Sequence, residues 1–358
     1  MLGVLMYMLF RALRPVSSPS GLTCLRSQSV SSSGSEAKRE LEDLSRLISQ
    51  HDDNYYGGYE KPVWPDLDPI SDDEYDALVR RAAHLEQLHP DLQGMVRRLG
   101  GVGSPIKGNS AKVMHTMPML SLDNAFTLSE VEKFLTKLSV NGNPQEVVLE
   151  PKIDGLSLSL LYSNGQLVRA ASRGDGAIGE DLTLNAKEIV DLPERITPPS
   201  HFPKHLEVRG EVYIDKASFE RLNAIRKRNN ETGFSTARNT AAGSLRQDDP
   251  SVTRERGLRF FAYSIHGLMR KRNEYYFSES ESQKIRITSQ SQCLSKLSEL
   301  SFSVAKPWHL CDAWSIADIY KLCKEYESNR EELEYDVDGV VIKVRISISL
   351  DYFQLVLR

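Results

Sequence analysis

Asn164-Gly165 stands between two runs that each suit a strand, and no other feature narrows the possible folds of this chain as much. Upstream, Leu156-Ser157-Leu158-Ser159-Leu160-Leu161-Tyr162 alternates apolar and polar residues, the period of a half-buried strand. Downstream, residues 167–172 form a second such run. An Asn-Gly pair between them favours a tight hairpin, so antiparallel pairing is expected. Further strand-like segments lie at residues 147–149, 206–214, 259–265 and 339–344. Helices are expected at 216–228, 242–246 and 314–328. Strands joined by tight turns and flanked by helices predict an α+β domain.

A chain of 358 residues exceeds what one compact core usually holds, so a second domain is expected. Leu41, Leu44, Leu47 and Ile48 recur at helical spacing, and the pattern returns over residues 76–99 with Ser71 or Asp72 placed to cap it. Between these helices, Asn54-Tyr55-Tyr56-Gly57-Gly58-Tyr59 reads as an aromatic loop. Residues 100–110 form a loop that suits a domain boundary. Residues 1–38 carry Arg11, Arg14 and Arg26 with many serines and no acid before Glu36, the composition of an organelle address. A signal peptide and a disordered tail are the competing readings of that segment. No later apolar run is long enough to span a bilayer. Cys24, Cys293, Cys311 and Cys323 form no C-x-x-C pair, so neither a zinc site nor a disulfide framework is expected. A net charge of −4 makes nucleic-acid binding a matter of local basic surface rather than of the whole chain.

Chemistry concentrates just ahead of the hairpin. In Glu150-Pro151-Lys152-Ile153-Asp154-Gly155 a lysine stands between carboxylates at the mouth of a strand, where it is either a covalent nucleophile or an ion-paired surface residue. Ser172-Arg173-Gly174-Asp175-Gly176 can bring backbone and an arginine to a phosphate, or simply turn the chain. Glu207, Arg209 and Glu211 share one face of a strand, which ordinarily means a solvated face with cross-strand ion pairs. Residues 234–247 are mostly small, with Arg238 and Arg246 able to flank a polyanion. Asp338-Gly339 enters an apolar strand bearing Lys343, an unusual core residue unless it meets an anion. A lysine attacking phosphorus needs cations to neutralise the phosphate, and carboxylates such as Glu211 and Asp338 could hold Mg²⁺.

Lys152-Ile153-Asp154-Gly155 resembles the nucleotidyl-lysine motif of DNA ligases, RNA ligases and mRNA-capping enzymes. Together with residues 118–124, 172–181, 207–212, 238–247 and 338–344, all in the same order, it is similar to the bacterial-type NAD-dependent DNA ligases. The resemblance covers roughly residues 40–345. It implies a small helical NAD-binding domain (39–108) that grips the nicotinamide mononucleotide half, followed by a nucleotidyltransferase domain (109–345) with antiparallel sheets and flanking helices. It also implies NAD and Mg²⁺ or Mn²⁺ as cofactors, nicked double-stranded DNA as partner, a monomer, and no membrane. By the same resemblance Lys152 takes AMP from NAD, Glu150 reads the adenine amino group, and Ser121 and Leu122 lie along the cofactor. Arg173 and Glu211 contact the nucleotide sugar, and Lys343 touches the phosphate. Asp154 and Asp338 support the site and the metal. Arg238, Arg246 and Arg330 face DNA or a phosphate. Tyr55, Tyr56, Asp72, Tyr75 and Asp76 match the nicotinamide-binding pattern, where aromatic faces and carboxylates suit a cationic ring. The competing functions are an ATP- or GTP-dependent nucleotidyltransferase and a non-catalytic nucleotide- or DNA-binding fragment.

After Val344 the likeness stops, and residues 346–358 form a divergent tail. The expectation is a truncated chain that binds NAD and seals nicks poorly or not at all. A mitochondrial address is the first expectation and a plastid address the second.

Overall fold

Asn164 and Gly165 both adopt positive φ, 49° and 76°, so the turn between the two alternating runs is the left-handed kind that matches strand twist. This structure is a computed structural model describing residues 5–8, 34–57, 72–96, 111–119, 123–125, 128–138, 147–271, 274–287, 289–311 and 316–344. The chain opens with β1 (Leu5–Met8), α1 (Gly34–Gly57), α2 (Asp72–Leu88), β2 (Lys112–Met114), β3 (Asp123–Ala125) and α3 (Leu128–Leu138). It continues with β4 (Val147–Ile153), β5 (Leu156–Ser163), β6 (Gln166–Ser172), β7 (Ile178–Glu180), α4 (Thr183–Ala186) and β8 (His205–Tyr213). Next come α5 (Lys216–Arg228), α6 (Ala237–Leu245), α7 (Pro250–Arg256), β9 (Arg259–Lys271), β10 (Glu274–Phe277) and α8 (Glu279–Lys284). The last are α9 (Gln290–Glu299), β11 (His309–Cys311), α10 (Ile316–Asn329) and β12 (Val337–Val344).

The chain divides into two units, residues 11–104 and residues 1–10 with 105–358. In the first, Ala37, Leu41, Leu44 and Ile48 of α1 line one stripe and bury against Ala82 and Leu85 of α2 and Val96. Arg81 closes the pair with a two-pronged bond to Glu40 at 2.6 and 2.9 Å. Two expectations are corrected here. Tyr55 and Tyr56 lie in the last turn of α1, not in a loop, because nothing interrupts the helix before Gly57. The second helix ends at Leu88 rather than near residue 99, because His89 precedes Pro90 and is steered out of the helical region.

The second unit holds two five-stranded sheets, ordered β11-β4-β12-β1-β3 and β10-β9-β8-β5-β6. The second sheet is antiparallel throughout, and the first is antiparallel except where β1 meets β3. The strand β1 and the start of α1 lie within the first 38 residues. Alternation decides which sheet face is buried. Val147 and Leu149 of β4 and Val340 and Ile342 of β12 bury under Phe134 and Leu135 of α3 and Ile319 and Tyr326 of α10. Leu158 and Leu160 of β5, Val208 and Val212 of β8 and Phe260 of β9 bury under α6 and α9. The opposite faces of the two sheets carry the polar and charged residues.

One expected element divides in two. The lysine motif does not begin the alternating strand: Lys152 is the last but one residue of β4 in the first sheet, and β5 belongs to the second. Asp154-Gly155 is the crossing between sheets. A Cβ on Gly155 would stand 2.3 Å from the Val212 carbonyl oxygen, so only glycine lets the chain pass that close to β8. The helix over the small-residue segment starts at Ala237 rather than 242, because the Thr236 side chain caps it by accepting from the Asn239 N–H.

Candidate active site

Glu150 and Lys152 alternate along β4, so both project from its uncovered face. Antiparallel register sets Lys343 of β12 opposite Val148, on that same face. The Lys343 ammonium lies 2.8 Å from Glu150 Oε2, and both side chains are buried. The ladder slips between Val337 and Gly339, where β12 spends one residue more than β4. That bulge turns Asp338 toward Lys152, with Oδ2 2.6 Å from the lysine nitrogen. Beyond the crossing, Asp154 accepts from Arg238 at 3.2 Å, and its N–H donates to the Asp336 carbonyl.

The second sheet supplies the facing wall. Ser157 of β5 sits opposite Glu211 of β8 and donates to it at 2.9 Å. Burial pushes the Glu211 carboxyl up to about 7, with Arg238, Lys152, Ser157 and Arg173 opposing the shift. Glu207 accepts from Ser159 at 3.0 Å, from Arg209 at 2.6 Å and from Thr116. Burial works against the Glu207 charge, yet Arg209 and His266 hold its carboxyl below the usual range. Arg209 also donates to the carbonyls of Met117 and Pro118, so β8 grips the segment that precedes residues 121 and 122. The face expected to be solvated is therefore an interior one, with Glu207 and Arg209 both buried.

The glycine-rich turn after β6 is built as a cradle. Asp175 Oδ1 accepts from the N–H groups of Ala177 and Ile178, β7 pairs with β2, and His115 Nε2 donates to the Arg173 carbonyl at 3.1 Å. Burial lowers the His115 imidazole, which suits that neutral contact. Arg246 pairs at 2.5 Å with the buried Glu180, which also accepts from Ser172. Arg330 lies in a surface turn beside Glu331. Tyr75 belongs to the helical unit and is half-buried against its core. Tyr55, Tyr56, Asp72 and Asp76 are helical, but their side chains lie outside the described residues, as do Ser121, Leu122 and the tail 346–358.

The structure thus links Lys152 to Asp338, Arg238 to Asp154, and both Lys152 and Arg238 electrostatically to Glu211, while Glu150, on the strand that carries Lys152, pairs with Lys343. It adds residues with no strong signal in the sequence. The Lys343 ammonium lies 5.2 Å from the ring centroid of Tyr263. Gln290, at the start of α9, donates to Glu150. Tyr263 could have been suspected from its place in an alternating strand. Gln290 could not, since it stands 140 residues from its partner. Among the described residues no three His, Cys, Asp or Glu side chains converge as a metal site. Glu211 and Asp338 offer hard oxygen donors of the kind a Mg²⁺-type ion would take.

The NAD-dependent DNA ligase adenylation domain matches residues 107–350. A DNA ligase from Bartonella tribocorum is 39% identical over 314 residues, covering 86% of this chain and 40% of that protein. One from Rhodopseudomonas palustris is 41% identical over 321 residues, covering 88% and 41%. The chain spans about two fifths of the length of these curated relatives. Among solved structures, the ATP-dependent DNA ligase of bacteriophage T7 with ATP aligns at a TM-score of 0.30 and 14% identity, covering 66% of this chain and 67% of that one. A Naegleria gruberi RNA ligase with AMP and Mn aligns at 0.33 and 10%, covering 75% and 71%.

Proposed function

The chain belongs to the NAD-dependent DNA ligase family through its adenylation domain, and from that premise we propose that Lys152 accepts AMP from NAD. The observation that carries this reading is the Lys152–Asp338 contact of 2.6 Å, with Lys152 and Arg238 both acting electrostatically on Glu211. The lysine must shed its ammonium proton before it can attack, and Asp338 Oδ2 is in reach to take it. The freed amine forms a phosphorus–nitrogen bond to the α-phosphorus of NAD. The bond from that phosphorus to the bridging oxygen breaks, and nicotinamide mononucleotide leaves with the electron pair. Arg238 and Arg173 are the cations available to the phosphate oxygens, and Glu211 with Arg173 contacts the sugar. A divalent cation, when bound, would be held by Glu211 and Asp338 and would neutralise phosphate charge.

Glu150 reads the adenine amino group. The pairing of Lys343 with Glu150 favours a place for Lys343 beside the base rather than on the phosphate. Ser121 and Leu122 lie along the cofactor, and the helical unit recognises the nicotinamide half through Tyr55, Tyr56, Asp72, Tyr75 and Asp76. Joining nicked double-stranded DNA in replication and repair belongs to the same proposal. AMP passes to the 5′-phosphate at the nick and is displaced by the 3′-hydroxyl. Arg238, Arg246 and Arg330 face DNA or the phosphate of nicotinamide mononucleotide. The protein acts inside an organelle, a mitochondrion before a plastid, a reading supported by its Arg- and Ser-rich, acid-poor first 35 residues, and a monomer is part of the same proposal. Among the described residues no helix is long and apolar enough to cross a membrane.

Intact mass after exposure to NAD tests the reading. The expected result is a gain of one AMP, absent in Lys152→Ala and weaker or missing when ATP replaces NAD. A gain that survives in Lys152→Ala would overturn it.

A further inference from the structure

We infer that Gln290 is the specificity-determining positioning residue of this site. Its amide holds the Glu150 carboxylate where an adenine amino group is accepted and a 6-oxo purine is refused. The inference rests on the proposed use of Glu150 to read the base.

Gln290 Nε2 donates to Glu150 Oε1 at 2.9 Å and to the Tyr263 carbonyl at 3.1 Å. A carboxylate and a carbonyl only accept, so the neighbours settle which end of the amide faces them, and both N–H groups are used. The other Glu150 oxygen takes the Lys343 ammonium at 2.8 Å. Each carboxylate oxygen therefore has one fixed donor, and the plane of the group is set from both sides. Gln290 also ties Glu150, in the first sheet, to the backbone of Tyr263, in the second, a link that no strand pairing provides. Tyr263 is the residue whose ring lies beside Lys343. Carboxylate, ammonium and ring are thus held in one geometry by one amide.

The chemistry of that geometry is selective. An ionised carboxylate has about four lone-pair sites, so each oxygen can accept once more. An exocyclic amine satisfies it, whereas the carbonyl oxygen of hypoxanthine or guanine sets lone pair against lone pair. Sites that leave a polar group mismatched discriminate far more strongly than sites that only lose a contact. Discrimination of this kind needs a carboxylate that cannot turn away. Lys343 alone leaves Glu150 free to pivot about that one contact, and Gln290 removes the freedom. A purely structural role for Gln290 in α9 is not required, because Ser289 already caps the helix by accepting from the Gln292 N–H.

The test compares the full chain with Gln290→Met, which keeps side-chain length and helix propensity but has no donor. Calorimetric binding of AMP and of inosine monophosphate reads base recognition without chemistry. Adduct formation from NAD and from its hypoxanthine analogue reads it through Lys152. The wild type should prefer the adenine form by about 100-fold or more, and Gln290→Met should lower that preference about tenfold or more. The loss should fall on half-saturation by NAD, not on the rate at saturation, with the thermal midpoint unmoved. An unchanged preference in Gln290→Met, or a wild type that binds both monophosphates equally, would overturn the inference. If AMP is preferred in the expected way but no adduct forms from NAD, the inference stands and the proposed adenylyl transfer fails.

Discussion

Glu211 is a site residue whose charge depends on the fold. Its carboxyl is raised from 4.5 to about 7, first by burial. The folded state therefore holds a proton that the unfolded chain has already released between those values. Stability falls as pH rises from about 4.5 to 7 and is level above that, a loss of at most about 3 kcal/mol. Glu211→Gln removes the titration. The variant should melt several degrees above the wild type at pH 8 and show little difference at pH 4.5, while losing adduct formation at both. Equal melting shifts at the two pH values would show that Glu211 is not the group responsible. The opposition between stability and activity is what a carboxylate kept for function at a buried position should show.

At the scale of elements, the hairpin and the helix 216–228 were legible because their signals are local: an Asn-Gly turn between alternating runs, and a helical stretch unbroken by glycine or proline. The site was legible as a set of residue types in order, but its assembly was not. Lys152 and the strand that follows it belong to different sheets, and nothing in six consecutive residues says that the chain changes sheet at Asp154-Gly155. The bulge that aims Asp338 and the partners of Glu207 depend on register between distant strands, which a sequence does not print. Gly155 is where this matters most. Gly155→Ala would set a methyl 2.3 Å from a backbone oxygen and 2.8 Å from Glu211 Cγ, so the crossing and β8 must part. The expected cost is about 3 kcal/mol in denaturant unfolding, with adduct formation lost under conditions where the variant is still folded. A fully stable and active Gly155→Ala would mean that the crossing can relax in a way this packing does not allow.

For the whole molecule, the proposed function assigns the two units to different halves of NAD. The helical unit has its own apolar core, from Ala37 to Val96, and the lysine site stands entirely within the other unit. If the helical unit serves only the nicotinamide half, its residues should affect steps that involve that half and no others. Asp72→Ala and Asp76→Ala separate these cases, because a carboxylate near the cationic pyridinium is lost while the lysine site is untouched. Half-saturation by NAD should rise about tenfold, equivalent to about 1.4 kcal/mol, and AMP affinity should not change. Reversal, in which added nicotinamide mononucleotide strips AMP from the Lys152 adduct, should slow by a similar factor, since it uses the same contacts from the other side. Tyr75→Ala is the contrasting variant: Tyr75 packs against the apolar core of the helical unit, so its loss should also lower the melting temperature of that unit. A drop in AMP affinity in Asp72→Ala or Asp76→Ala would show that the two units share the adenosine half as well, and the division of labour would have to be abandoned.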